Sequence, residues 1–296
     1  MKVLVLGATG MLGHKLYQEL GGNFDVHGTI RGNASDLEHY GFYKLNKIIG
    51  GVDAEDPDSI ARALDATSPT VVINAVGAVK QVAAGQDPVH ALTVNAIFPH
   101  KLARLTQERG ARLITISTDC VFSGKKGSYT EAEEPDACDL YAISKRFGEP
   151  TGANILTLRT SIIGRELSSQ HGLADWFLSQ RGKTVKGYVK AVFSGLTTIA
   201  LAHVIADVIT RHPDLSGLYH VSAAPISKYD LLIAIDRWFA TKTVVEPSND
   251  LVIDRSLDSS AFRMATSWKP ATWNEMIAEM AKDETPYDRW SGVTES

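Results

Sequence analysis

The chain has 296 residues, 44% of them hydrophobic, with a net charge of −4 and a pI near 6.1. That length can bury a large core, and an acidic balance without a long basic run speaks against nucleic-acid binding. No apolar stretch approaches the ~20 residues of a membrane span, no charged–apolar–small leader opens the chain, and two cysteines, Cys120 and Cys138, neither build a disulfide scaffold nor show metal-ligand spacing, so a soluble cytoplasmic protein is the expectation.

Lys2–Leu6 reads as a buried strand that runs directly into Gly7-Ala8-Thr9-Gly10-Met11-Leu12-Gly13 and an amphipathic helix over Met11–Leu20. Strand, glycine-rich turn and helix in that order form a dinucleotide cradle. One glycine serves the tight turn, one the approach of a pyrophosphate, and one the packing of helix on strand. Glycines alone are weak evidence, because a strand-to-helix turn needs them for steric reasons.

Phe24–Ile30 is the second strand, and its tip, Gly28-Thr29-Ile30-Arg31, carries no acid to hold a ribose 2′-hydroxyl. Arg31 suits a 2′-phosphate instead, which favours NADP(H) over NAD(H); a solvated surface arginine is the competing reading. Asp53, ahead of Ala54, falls where a third strand would end and could accept from an adenine amino group or serve as a turn residue. A helix is expected over Pro57–Thr67 and a strand over Thr70–Asn74. Asn74-Ala75-Val76-Gly77 then lets backbone pass close to a cofactor, although a turn explains Gly77 as well. His90–Arg109 reads as one helix, with Asn95 either a buried polar residue tying it to the sheet or a helper near the active site.

Leu113–Ser117 is the next strand, and Thr118, in Ser117-Thr118-Asp119-Cys120-Val121-Phe122, should stand at the sheet's carboxyl edge. A hydroxyl there can bond a substrate carbonyl, or be an ordinary cap. Tyr141-Ala142-Ile143-Ser144-Lys145, in a helix over Leu140–Gly148, decides for chemistry. Four residues put a phenol and an ammonium on one helix face, and a nearby ammonium lowers a phenol's pKa. Nicotinamide chemistry with Thr118, Tyr141 and Lys145 as the catalytic set is the expectation. The cofactor contacts expected are Gly7, Thr9, Gly10, Met11, Leu12, Gly13, Arg31, Asp53, Ala54, Asn74, Ala75, Val76, Tyr141 and Lys145.

With a strand over Asn154–Arg159, the strand–helix alternation implies an α/β Rossmann domain, a doubly wound parallel sheet. Past Gly164 the pattern loosens. A helix is expected over Leu196–Ile209, a strand over Gly217–Ser222 rejoining the main sheet, helices at Lys228–Phe239 and Trp273–Ala281, an irregular stretch around Pro247, Asn249 and Asp250, and a frayed tail after Trp290. Residues 1–164 and 195–223 would form the NADP-binding domain, and 165–194 with 224–296 a smaller α/β substrate-binding domain. Trp176, Lys183, Lys186, Lys190 and Arg255 in the latter would suit a base and a diphosphate as a group, though each alone reads as packing or solvated surface.

Together these segments resemble the extended short-chain dehydrogenase/reductase superfamily and, within it, the dTDP-4-dehydrorhamnose reductase family. Carrying the resemblance are Gly7–Gly13, Ile116–Phe122, Tyr129-Thr130-Glu131, Tyr141–Lys145, Gly148-Glu149, Leu158–Ser161, Leu218–Ser222 and Ser256–Ser259. It implies NADPH-dependent reduction of a nucleotide-linked 4-keto-6-deoxysugar, in deoxysugar and polysaccharide biosynthesis, with Tyr141 as proton donor. Lys80, Thr118, Asp119, Cys120, His171, Trp176 and Arg255 are the residues expected around the nucleotide-diphosphate sugar, and a homodimer is compatible with it.

Position 120 departs from that family's usual tyrosine. Related dehydratases carry a glutamate there, and a cysteine lacks the carboxylate their elimination needs. Enzymes resembling GDP-fucose synthase use a cysteine at this place with a histidine to epimerise, which Cys120 and His171 could match; simple reduction is the expectation and epimerisation the alternative. The regulatory subunit of methionine adenosyltransferase also resembles this family and works by binding a partner, so a non-catalytic NADP-binding role is the third reading.

Overall fold

The structure, a computed structural model, describes residues 1–79 and 83–290. Its first half runs β1 (Lys2–Leu6), α1 (Met11–Leu20), β2 (Asp25–Thr29), β3 (Ile48–Ile49), α2 (Pro57–Thr67), β4 (Val71–Asn74), α3 (Pro88–Ala91), a π-helical turn (Leu92–Ile97), α4 (Phe98–Glu108) and β5 (Arg112–Thr118). There follow α5 (Leu140–Phe147), β6 (Ile155–Thr160), β7 (Ile162–Ile163), α6 (Leu173–Leu178), β8 (Thr184–Phe193), β9 (Leu196–Thr197), α7 (Thr198–Arg211) and β10 (Gly217–His220). The chain closes with β11 (Ile226–Ser227), α8 (Lys228–Phe239), β12 (Val244–Asp254), α9 (Ser260–Thr266) and α10 (Trp273–Ala281).

Two compact units divide these elements. The first comprises Met1–Val121, Ala137–Arg159 and Ala202–Tyr219; the second takes Phe122–Asp136, Thr160–Leu201 and the chain from His220. In the first unit the strands lie in the order β10-β6-β5-β4-β1-β2-β3. The pairings from β5 through β3 are parallel, with Leu6 opposite both Thr29 and Asn74. From β1 the chain winds outward through β2 and β3, then returns to the other side of β1 as β4. The winding therefore reverses between β1 and β4, which is where such sheets hold ligands at their strand ends. Leu4, Leu6, Val72 and Leu113 from the strands pack with Ile60, Leu64, Phe98 and Leu102 from α2 and α4 into a buried apolar core. Strands buried on both faces explain why these segments read as continuous apolar runs.

In the second unit β8 pairs antiparallel with β11 and parallel with β12. Helix α8 lies close on this sheet: a Cβ at Gly187 of β8 would meet Tyr229 of α8 and Val245 of β12.

Three sequence expectations are corrected. The helix expected over His90–Arg109 is broken into α3, a π turn and α4, because Pro99 has no N–H for the carbonyl of Asn95, and the ladder there shifts to Phe98 N–H bonding Thr93 O. The stretch expected to be irregular around Pro247 is strand β12; it is an outer strand of its sheet, where proline is tolerated, and a bulge between Ser248 and Val252 absorbs Asn249 and Asp250. Leu196–Thr197 pairs with Ile162–Ile163 as β9, so the helix expected from Leu196 begins at Thr198. The tail expected to fray after Trp290 lies outside the described residues.

Candidate active site

The glycine turn after β1 shows the division of labour its spacing implies. Gly7 has φ +79°, and a Cβ there would also press on Val76 at 3.1 Å, so the loop after β1 and the loop after β4 are in contact. Gly13 packs so tightly that its Cβ would sit 1.9 Å from the Gly7 carbonyl oxygen. Gly10 is exposed, and its nearest neighbour to a Cβ would be 3.5 Å away, so protein packing does not demand glycine there. It is the N-cap of α1, with no side-chain cap bond and no acid in the first turn. The uncapped N–H groups of Met11, Leu12 and Gly13 with the helix dipole make a site for an anion.

Surrounding residues hold this turn still. Ala8 N–H donates to Thr29 O at 3.0 Å. The buried Tyr43 hydroxyl donates to Ala8 O at 2.7 Å, and its ring lies 5.0 Å from that of Tyr17 on α1. Tyr43 escaped the sequence reading; the aromatic cluster His39-Tyr40-Gly41-Phe42-Tyr43 just past the tip of β2 was the available signal. Thr9 is exposed. Asn74 is buried at the end of β4, donates to Thr115 Oγ1 at 3.2 Å and accepts from Val76 N at 3.1 Å, fixing the Ala75–Val76 turn. Arg31 is exposed just beyond β2. The nearby Asp36 is engaged in its own turn, accepting from Asn33 N at 2.8 Å. The third strand ends at Ile49, four positions before Asp53. Asp53 serves as a turn residue whose Oδ1 accepts from Glu55 N at 2.9 Å, with Ala54 half-buried between them.

β5 ends at Thr118, and Asp119–Val121 turns as a short 3₁₀ helix. The Thr118 hydroxyl accepts from Cys120 N at 3.1 Å, donates to the buried Asp119 at 3.2 Å, and lies within bonding reach of the Tyr141 phenol. Helix α5 is started by Asp139, whose carboxylate accepts from Ala142 N at 3.0 Å. Lys145 Nζ donates to Ile116 O at 2.8 Å. Thr118, Tyr141 and Lys145 are thus gathered at the carboxyl end of β5.

The electrostatics differ from the expectation of an ammonium-depressed phenol. Burial raises the Tyr141 phenol, the neighbouring Cys120 adds to that, and the Thr118 hydrogen bond opposes it. Burial likewise pushes the Lys145 ammonium down to about 8, against the pull of Glu149. Desolvation outweighs the pairwise attraction that spacing alone suggests. The 3₁₀ turn breaks the strand alternation at Asp119, but Cys120 stays half-exposed beside Tyr141 rather than sealed in the core.

Asn95 is buried in the π turn. Its amide accepts from Ala78 N at 2.8 Å and donates to Ala78 O at 2.9 Å and to Ser144 Oγ at 3.1 Å, while Ser144 Oγ donates to Tyr141 O. Gly148 lies so close that a Cβ would fall 1.7 Å from Asn95 O. The π turn and α5 are therefore locked together.

Of the residues expected around a substrate, Thr118, Asp119 and Cys120 belong to the first unit, and Lys80 lies outside the described residues. His171, Trp176 and Arg255 belong to the second. His171 and Trp176 are exposed, and Arg255 donates through Nε to Phe122 O at 2.9 Å. Lys183, Lys186 and Lys190 are exposed along β8 and the turn before it, with Lys186 paired to Asp250 at 2.8 Å.

Residues 1–285 match the family model of the RmlD substrate binding domain. A dTDP-4-dehydrorhamnose reductase of Burkholderia thailandensis is 31% identical over 188 residues, 62% of this chain but only 52% of that protein. Methionine adenosyltransferase 2 subunit beta of Danio rerio is 31% identical over 250 residues, 79% of this chain and 72% of that protein. Among solved structures, the dTDP-4-dehydrorhamnose reductase of Bacillus anthracis in complex with NADP superposes with a TM-score of 0.77 at 21% identity, covering 94% of this chain and 98% of that one.

Proposed function

The chain belongs to the RmlD substrate binding domain family, and from that premise we propose that it is an NADPH-dependent reductase of a nucleotide-linked 4-keto-6-deoxysugar. The observation that carries this reading is the gathering of Thr118, Tyr141 and Lys145 at the end of β5, in the same sheet whose winding reverses at the Gly7–Gly13 turn. The residues of the turn fit the cofactor: an uncapped helix N-terminus, no competing acid, and an open approach at Gly10. Met11, Leu12 and Gly13 would hold the pyrophosphate, Arg31 the 2′-phosphate, and Lys145 the nicotinamide ribose. Unit two, with Trp176 and its cations, would take the nucleotide diphosphate.

Bound NADPH would supply a hydride to the keto carbon. Tyr141 then gives its phenolic proton to the developing alkoxide, so C=O becomes CH–OH. Thr118 orients the carbonyl and, with Lys145, stabilises the phenolate left behind. The raised pKa keeps Tyr141 protonated through the neutral range but makes it a weaker acid, so the charged Lys145 and the Thr118 hydroxyl must stabilise the phenolate as the proton leaves.

The pH profile follows from Lys145. Its ordinary value is lowered to about 8, so it is charged below that pH and neutral above it. Because that value belongs to the free enzyme, kcat/KM for NADPH is expected to fall on the alkaline side through a midpoint near 8. A profile flat to about pH 10 removes the charged lysine from the mechanism.

NADPH should bind more tightly than NADH, and Arg31→Ala should narrow the gap by about tenfold or more, the worth of a charge-assisted bond. Fluorescence titration of both cofactors measures it, and tighter NADH binding by the parent chain overturns the Arg31 assignment.

The function itself is tested by NADPH oxidation with dTDP-, UDP- and GDP-linked 4-keto-6-deoxysugars, run in deuterated water. Oxidation with product free of deuterium beside the reduced carbon is simple reduction. Deuterium there, lost in Cys120→Ser, is epimerisation. A second reading, a dinucleotide-binding subunit that works on a partner, is favoured by the match to the Danio rerio subunit over most of both chains. Tight NADPH binding without oxidation of any sugar would favour it.

A further inference from the structure

One buried charge cluster lies just behind the candidate active site. Glu149 follows α5 just past the Gly148 cap, and its charge reaches Lys145. Its carboxylate is almost fully buried. Oε1 accepts from Ser117 Oγ at 2.6 Å and from Arg159 Nε at 2.7 Å, and Oε2 accepts from Arg159 Nη2 at 2.7 Å. Ser117 stands between Ile116, whose carbonyl receives Lys145, and Thr118, whose hydroxyl reaches Tyr141. One carboxylate thus ties β5, α5 and Arg159 of β6 together at the residues flanking the reacting set.

Surface area cannot explain a charged pair at this depth. Burying each ion is costly before pairing, and apolar residues of similar volume often serve stability as well or better. A Ser117 hydroxyl aimed at the same oxygen adds a link that stability alone does not need.

We propose that Glu149 is a positioning residue for Tyr141 and Lys145: through Ser117 it sets the Ile116–Thr118 segment, and it places a carboxylate near the Lys145 ammonium. The inference rests on the reductase reading for its kinetic consequence, but its electrostatic consequence does not. Other titratable groups around α5 are Asp139 at its N-cap, Arg146 in its last turn, His100 of α4 at 2.6 Å from Phe147 O, Asp119 and Cys120 in the 3₁₀ turn, and Arg159 on Glu149 itself. The π turn presents the neutral Asn95, and His90 of α3 is paired with Glu55 at 3.3 Å. Among these, Glu149 is the group that raises Lys145.

The test follows Lys145 directly, using protein labelled with ¹³C at lysine Cε and the resonance identified by its loss in Lys145→Arg. The midpoint is expected near 8 in the parent chain and lower in Glu149→Gln, because the carboxylate that raises it is gone. Should that variant not fold, Glu149→Gln with Arg159→Met removes both buried charges together; the midpoint should again fall, but by less, because a positive charge leaves with the negative one. Ser117→Ala leaves the ion pair in place, so its Lys145 midpoint should hold while turnover falls and NADPH affinity stays. An unmoved midpoint in the Glu149 variants, or parental turnover in Ser117→Ala, overturns the proposal. Failure of the parent chain to oxidise NADPH with any sugar sinks the reductase reading but leaves the midpoint measurement standing.

Discussion

Tyr141→Phe should turn over at least about 10²-fold more slowly than the parent chain while still binding NADPH, because it removes the general acid and keeps the ring. The ring remains, so the packing of α5 around buried Ala142 and Ser144 is preserved. The tether from Ser144 Oγ to the main-chain oxygen of residue 141 does not involve the phenol. What is lost is the only proton the Thr118–Tyr141 contact can deliver to a substrate oxygen. Thr118 itself is engaged with Cys120 N and Asp119 and is a poor substitute. Single-turnover mixing of enzyme, NADPH and the best sugar isolates the chemical step from product release. Turnover close to parental would reject Tyr141 as donor and point to Cys120 or a bound water.

The sequence made the sheet legible because strands buried on both faces show unbroken apolar runs, and because Gly7 and Gly13 are required by close backbone contacts rather than by chance. The Tyr141/Lys145 spacing was legible for the same reason: both lie on one short helix with an Asp139 cap. The π turn was hidden because its cause is a single missing N–H at Pro99, inside an otherwise regular helical period. β12 was hidden because an outer strand with a bulge tolerates the residues that normally forbid a strand. The direction of the Tyr141 shift was hidden because spacing reports which charges are near and says nothing of how far water is excluded. Glu149 and Arg159 showed only as family-like residues; that they meet at all depends on β6 lying beside β5.

Gly13→Ala should abolish useful NADPH binding, raising Kd by about 10²-fold or more, and lower stability by about 1–3 kcal/mol. The new methyl would stand 1.9 Å from Gly7 O, 2.8 Å from Gly7 C and 3.1 Å from Ala8 Cα, all of them main-chain atoms. None can give way cheaply. Gly7 is held at φ +79° against Val76, and Ala8 is pinned on one side by Thr29 O and on the other by the Tyr43 hydroxyl. The strain must therefore move the start of α1, which carries the N–H groups offered to a pyrophosphate. Gly10→Ala is the companion experiment. Its methyl would meet only Gly7 O, at an ordinary 3.5 Å, on a backbone with φ −69° that alanine adopts without strain. Thermal unfolding of Gly10→Ala should match the parent chain, yet NADPH affinity should still fall, because the methyl occupies the side left open for the ligand. A Gly13→Ala chain that melts and binds NADPH like the parent would show that helix packing does not shape the cradle. Undiminished NADPH affinity in Gly10→Ala would move the pyrophosphate away from this turn.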